Sequence, residues 1–199
     1  MSAEFDLPFP HYRCPTCEKD LPLGEAHMVV ACGHHGKKDS GGHTVRRAKD
    51  ADRSAVETIC DRALGETVVD AFGRTFDVLA GVNIIAESAG ELAGLISLSV
   101  AQGEATIVFL SVYPEHQGTG VARALLEAAD VMARERGLSF MRVAVTNDDV
   151  PLLYFYQRHG FSMYEVAVGE VADRFGSVTP GFASIGVRDE IRLRCGVSE

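Results

Sequence analysis

The chain has 199 residues, 46% apolar and 24% charged, which fits one medium domain, or one domain with a small appendage, and excludes global disorder. Its formal net charge of −9 argues against the phosphate backbone of nucleic acid as the main partner, which needs clustered Lys and Arg, and suits a cationic substrate better. No apolar run reaches the roughly 18 residues of a membrane span, and "MSAEFDLPFPHYRC" lacks the basic start and apolar core of a secretory signal, so a cytoplasmic protein is expected.

Residues 1–43 differ in character from the rest. Three of the five cysteines fall here, as Cys14-x2-Cys17, then a spacer of 14, then Cys32-x2-His35. In a reducing compartment such a set suggests metal rather than disulfide. Zinc takes four N or S ligands tetrahedrally, and two short knuckles joined by a hairpin supply them. The spacing therefore predicts a zinc-ribbon-like module with a structural zinc, since four protein ligands leave no open position for catalysis. His34 is the adjacent alternative to His35, and "GHHGKKDSGGH" reads as the linker that follows.

The second domain is assigned to residues 44–199. "HTVRRA" reads as a strand, and Asp50 as the N-cap of a helix whose face is Ala55, Val56, Ile59, Cys60, Ala63 and Leu64. "DVLAGVNIIAESAGELAGLISLSV" gives two strands joined near Ser88 to Gly90, and "AQGE" turns the second into "ATIVFLSV". Val121, Leu125, Ala128, Ala129 and Met132 lie at helical spacing, with Gly137 as the stop. The strand "LSFMRVAV" follows that helix, and a right-handed crossover makes it parallel to the strand ending at Val112. A short helix starts near Asp148 or Asp149 with Pro151 in its first turn and stops at Gly160. Two strands, "FSMYEVAV" and "RDEIRLRC", flank an irregular Gly-rich segment. Cys60 and Cys195 read as core or strand-end residues.

Between the strand "ATIVFLSV" and the helix that follows it lies "VYPEHQGTGVA". Amide groups at a helix N-terminus favour oxyanions, and a Cβ at Gly118 or Gly120 would obstruct converging donors. A triphosphate loop needs Lys and Ser or Thr after its last glycine, where Val121 and Ala122 stand; a dinucleotide fingerprint needs a third glycine, where Arg123 stands. With "LLYFYQRHGF" at the short helix before Gly160 and its exit, "QGTGVA" resembles the acetyl-CoA-binding motif of the GNAT (Gcn5-related N-acetyltransferase) superfamily. The resemblance covers about Thr44 to Arg194, and "VRDEIRL" resembles the last strand of many bacterial members.

That resemblance implies an α/β GNAT fold: a mixed, mostly antiparallel central sheet flanked by helices. It implies acetyl-CoA as cosubstrate, with Gln117, Gly118, Thr119, Gly120, Val121 and Ala122 around the pyrophosphate and backbone near Leu110 and Val112 along the pantetheine arm. The arm would occupy a gap between "TIVFLSV" and "FMRVAV". Tyr156 matches the family tyrosine assigned to protonating the coenzyme A thiolate, while Tyr154 and Phe155 read as core aromatics. Relatives often place an Asn seven residues before that tyrosine; here the position is Asp149, which cannot donate when ionised. Asn147 can substitute, or the loop can simply cap the helix.

No base is assigned: Thr106 stands about where some relatives carry a Glu, and Glu104, Glu115, His116 or ordered water are the alternatives. The expectation is direct transfer of an acetyl group to a primary amine in a ternary complex. The alternative is an acyl-CoA-binding domain, weak in catalysis, that acts as a sensor or partner module through its zinc ribbon. The amine and the oligomeric state stay open.

Overall fold

The computed structural model describes residues 42–197, together with two short strands, β1 (Tyr12–Arg13) and β2 (Asp20–Leu21), paired antiparallel. Cys14, Cys17, Cys32 and His35 lie outside the described residues, and so does most of the 1–43 segment.

From residue 43 the elements follow the expected order with insertions. Strand β3 (His43–Arg47) leads through a 3-10 turn at Asp50–Asp52 into helix α1 (Arg53–Leu64). A small hairpin, β4 (Val68–Ala71) and β5 (Arg74–Asp77), precedes the long strands β6 (Val82–Ser88), β7 (Glu91–Ala101) and β8 (Glu104–Val112). Helix α2 (Val121–Glu135), strand β9 (Phe140–Thr146), helix α3 (Val150–Arg158) and strand β10 (Ser162–Ala167) come next. A short helix α4 (Glu170–Phe175), the two-residue strands β11 (Thr179–Pro180) and β12 (Gly186–Val187), and β13 (Glu190–Gly196) complete the chain.

Seven strands form one sheet in the order β10-β13-β9-β8-β7-β6-β3. Every neighbouring pair is antiparallel except β8 and β9, which run parallel across the α2 crossover. Period-2 alternation divides the core between the two faces. Ile84, Ile96, Ile107 and Val143 pack under α2 and α3. Ile85, Leu95, Val108 and Phe109 face α1. Helix α2 buries Val121, Leu125 and Ala129 as expected, and its chain turns away at Gly137, where φ is 63°.

Three hairpins turn on two residues that both have positive φ: Phe72–Gly73, Ala89–Gly90 and Gln102–Gly103. A fourth local feature shapes the sheet more strongly. Ser97 faces Phe109 while its neighbour Leu98 faces Ile107, so Val108 is an extra residue in β8. Such a bulge bends its strand, and the ladder from β8 to β9 ends at the pair Ile107 and Val143. Beyond it both strands continue without facing each other.

Several expectations are corrected. The helix expected to be capped by Asp50 begins after a 3-10 turn, with Asp52 as N-cap, because the Asp52 carboxylate is drawn to Arg46 at 2.7 Å and to the Lys49 amide at 2.7 Å. Only Val56, Ile59 and Cys60 of the predicted face are buried; Ala63 and Leu64 emerge at the rim of a cavity. The β4–β5 hairpin and helix α4 were not expected, since both segments are short and rich in charge and glycine. Among the described residues no helix is long and apolar enough to cross a membrane.

Candidate active site

The first structural element of the site is the turn after β8. Pro114–His116 makes a single 3-10 turn, and Gly118 and Gly120 then take φ of 76° and 92°, which only glycine adopts freely. The first hydrogen bond of α2 runs from the Ala124 amide to Gly120 O, so the amides of Val121, Ala122 and Arg123 have no intrahelical acceptor. The Gln117 side chain donates to Val112 O at 3.1 Å and Thr119 Oγ1 donates to His116 O at 2.6 Å. Gln117 thus braces the loop against the strand end, with one amide hydrogen left over.

This turn forms one wall of a cavity of about 550 Å³; the other wall is α3, with Pro151, Tyr154, Phe155, Arg158 and His159. Tyr154 and Phe155 are therefore half-buried cavity residues as well as packing groups, not simply core. Arg123, paired with Glu127 at 2.7 Å, and Arg158, held to the Tyr154 hydroxyl at 2.9 Å, line the cavity, so Arg158 carries its net positive charge. A Cβ built at Gly120 would meet nothing within 4 Å, so that edge of the loop faces open space.

A second cavity of about 490 Å³ opens on the other side of the diverging strands. Residues Ile107 to Ser111 of β8 and Val143 to Thr146 of β9 form its floor, so Leu110 lines this cavity whereas Val112 lines the first. The end of α1, strand β4 and α4 form its walls. Its lining is rich in carboxylates: Glu66, Asp70, Asp149 and Glu190 line it, with Arg174 as the one cation there among the described residues, engaged with Asp70 O at 2.7 Å and with Glu190. The rim is apolar, with Leu64 and Phe175 exposed.

Tyr156 lines this second cavity near the end of the gap and is only 2% exposed. Burial pushes its phenol above the usual tyrosine range, and the Asp149 carboxylate adds to the shift. Its ring packs edge-on to Phe155 and Phe161 at 5.3 and 5.2 Å between centroids, which fixes the side chain. Asp149 caps α3, accepting from the Leu152 amide at 3.0 Å, and burial raises its carboxyl.

Asn147 is bonded to the segment that leads into β13. Its Oδ1 accepts from the amides of Arg188 and Asp189, both at 2.9 Å, and its Nδ2 donates to Gly186 O at 2.9 Å. Next to it the buried Asp148 accepts from the Phe182 amide at 2.9 Å, and a Cβ at Gly181 would overlap its carboxylate. The loop "TNDD" therefore clamps the segment between α4 and β13. Thr106 is buried and takes the Nε–H of Arg142 at 2.9 Å, which leaves it a structural role. Among the described residues no three of His, Cys, Asp and Glu gather so as to hold a metal ion.

The acidic lining is what sequence reasoning missed. Glu66 and Asp70 are near neighbours, but Asp149 and Glu190 come from distant segments, so only the folded chain brings them to one cavity.

A mixed sheet with a parallel strand pair that splays beside a glycine turn at a helix N-terminus defines the α/β class of this protein. The acetyltransferase (GNAT) family model matches residues 53–161, more than half of the chain, and the chain belongs to this family. Streptothricin acetyltransferase of Streptomyces lavendulae is 38% identical over 104 residues, covering 51% of this chain and 50% of that one. The chain thus spans about half the length of that relative. The crystal structure of nourseothricin acetyltransferase superposes with a TM-score of 0.57 at 25% identity, over 78% of this chain and 99% of the other. A Bacillus subtilis acetyltransferase in complex with CoA gives 0.61 at 18% identity, over 79% of this chain and 100% of that one, a likeness of fold.

Proposed function

We propose that the protein is an acetyl-CoA-dependent N-acetyltransferase that moves the acetyl group directly to a primary amine of a small cationic acceptor. The observation that carries this reading is a pair of cavities along one strand, the glycine-turn cavity lined by Val112 and the carboxylate-rich cavity lined by Ile107 to Ser111. In this reading the pyrophosphate of acetyl-CoA takes the amides of Gly118 to Ala122, with Gln117 and Thr119 holding the loop in shape. The pantetheine arm lies along the β8 edge at Leu110 to Val112, where β9 has ceased to pair. The amine approaches from the acidic cavity, where Asp149 and its neighbours favour an ammonium group. The likeness to a streptothricin acetyltransferase and a nourseothricin acetyltransferase supports acetyl transfer as the reaction.

The amine attacks the thioester carbonyl, the new C–N bond forms and the C–S bond breaks. The ammonium must first lose one proton, the attacking nitrogen loses a second as the amide forms, and the departing thiolate takes one, so one proton in all goes to water. Tyr156 is the proposed donor at the thiolate. Its raised pKa keeps the phenol protonated, so its contribution is a hydrogen bond that strengthens as charge develops on sulfur. The ammonium proton leaves through water in the acidic cavity. Asn147 serves the site as a positioning residue through the 186–189 segment.

The proposal includes a structural zinc on Cys14, Cys17, Cys32 and His35, supported by ligand spacing. It would form part of an appended module in residues 1–43, and metal analysis of the purified chain tests it.

Release of CoA from acetyl-CoA, measured over a panel of mono- and polyamines alongside calorimetric titration with acetyl-CoA, tests the main reading. Turnover that rises with the positive charge of the acceptor is expected. Binding of acetyl-CoA without turnover of any amine would favour the acyl-CoA-binding module instead, and no binding would remove both.

A further inference from the structure

The β4–β5 hairpin contributes Val68, Val69, Asp70 and Ala71 to the acidic cavity, and its tip is built in an unusual way. The turn residues Phe72 and Gly73 both have positive φ, 54° and 64°. Turns of this type favour Asn, Asp or Gly at the first position, because a side chain there is strained in the left-handed region. A large aromatic residue persists in such a conformation only where its surroundings hold it.

Several attachments do so. The Phe72 amide donates to both carboxylate oxygens of Glu190, at 3.1 Å each. Glu190 is 3% exposed and also accepts from Arg192 Nε at 2.7 Å. The Phe72 ring carries two guanidinium groups, Arg142 at 4.6 Å and Arg192 at 5.3 Å from its centroid. Arg142 in turn donates to Thr106, and the Thr106–Arg142 pair is the rung before the last pair of the parallel ladder. The hairpin tip is thereby tied to the root of the strand gap. Arg174 holds the stem independently, donating to Asp70 O.

We propose that the tip is a latch and Phe72 a positioning residue: its ring, clasped by Arg142 and Arg192, fixes the hairpin wall of the acceptor cavity relative to the gap. Phe72 does not line the cavity itself. The inference rests on the acetyltransferase reading for its kinetic consequence, while the latch can be tested without it.

Phe72→Gly suits the backbone of the turn, keeps the amide on Glu190 and removes only the ring. On the full chain, hydrogen exchange over residues 68–77 is expected to quicken roughly fivefold, with the amides of α2 unchanged. With an amine that the wild type acetylates, the acceptor KM is expected to rise about tenfold while the KM for acetyl-CoA stays within about twofold. Phe72→Tyr, which keeps the ring, restores both. Unchanged exchange in Phe72→Gly overturns the latch, whether or not any amine is turned over. Faster exchange with an unchanged acceptor KM, or with both KM values raised alike, overturns the positioning role. A wild type that acetylates no amine sinks the acetyltransferase reading and the positioning role with it, and exchange alone then decides the latch.

Discussion

Ile107 of β8 and Val143 of β9 are the last residues to face each other across the parallel ladder, and the bulge residue Val108 follows Ile107 directly. A strand that gains one residue against β7 must bend, and here it bends away from β9. The gap that would receive an extended ligand is therefore a consequence of backbone register rather than of side-chain choice. The glycine turn stands at the far end of the same strand, five residues beyond Val112 at Gln117. Gap and anion loop are two ends of one element.

The loop can be tested apart from the fold. At Gly120 a Cβ would meet no protein atom, but φ of 92° disfavours any side chain. Gly120→Ala should lower stability by about 1–2 kcal/mol through backbone strain alone. If the open space beside Gly120 belongs to the pyrophosphate, acetyl-CoA affinity should fall by at least about tenfold, a loss of roughly 1.4 kcal/mol or more in binding. Calorimetric titration of the folded variant checks this, and wild-type affinity would remove the pyrophosphate from this edge of the loop.

Gly94 probes the same loop from beneath. A Cβ there would lie 2.8 Å from Ser111 O, and 3.1 Å from both Leu125 Cδ1 and Val121 Cγ1. The close contact with a backbone oxygen cannot be relieved by a rotamer change, so β8 or the start of α2 must move. Gly94→Ala should cost about 1–3 kcal/mol in denaturant unfolding and weaken acetyl-CoA binding by displacing the first turn of α2. Binding at full strength would mean that the strand absorbs the shift and the helix N-terminus does not depend on it.

Much of this arrangement was legible in the residues. The order of the long strands follows from their apolar alternation and Gly-containing turns, and the parallel β9 follows from the helix between it and β8. The glycine turn announced itself through Gly118 and Gly120. The splay did not, because a bulge at Val108 inside "EATIVFLSV" leaves no mark in composition. The acidic cavity was equally hidden: Glu190 looks like an ordinary strand-start charge until the tip of a distant hairpin donates its Phe72 amide to it. Asn147 was read from its distance to Tyr156, yet three hydrogen bonds to residues 186–189, about forty positions downstream, give it a local task.

That task separates two roles for Asn147. If it clamps the 186–189 segment, Asn147→Ala leaves the amides of Arg188 and Asp189 without their acceptor, and stability should fall by about 1–3 kcal/mol. The acceptor KM should rise, since Glu190 and α4 flank the clamped segment, while the KM for acetyl-CoA changes little. A selective rise in the acetyl-CoA KM would instead make Asn147 a ligand of the pantetheine arm.

Tyr156 is the residue where burial and chemistry meet. Enclosure with the Asp149 carboxylate nearby raises its pKa above the ordinary value, so the phenol stays neutral in the folded protein where the unfolded chain would ionise. The sign follows directly: this group's contribution is fully present below about pH 10 and is lost as pH rises through the folded value. Between pH 8 and 11 the wild type should lose about 1 kcal/mol more stability than Tyr156→Phe, as read from urea midpoints. Equal losses would mean that the phenol titrates alike in both states. In turnover, Tyr156→Phe should lower kcat roughly a hundredfold with the acetyl-CoA KM almost unchanged, the pattern of an interaction made in the transition state. No alkaline fall in wild-type kcat should come from Tyr156 below pH 10 or so, because the donor keeps its proton there. An unaltered kcat would assign the thiolate proton to water and leave Tyr156 as the aromatic floor beneath Phe155 and Phe161.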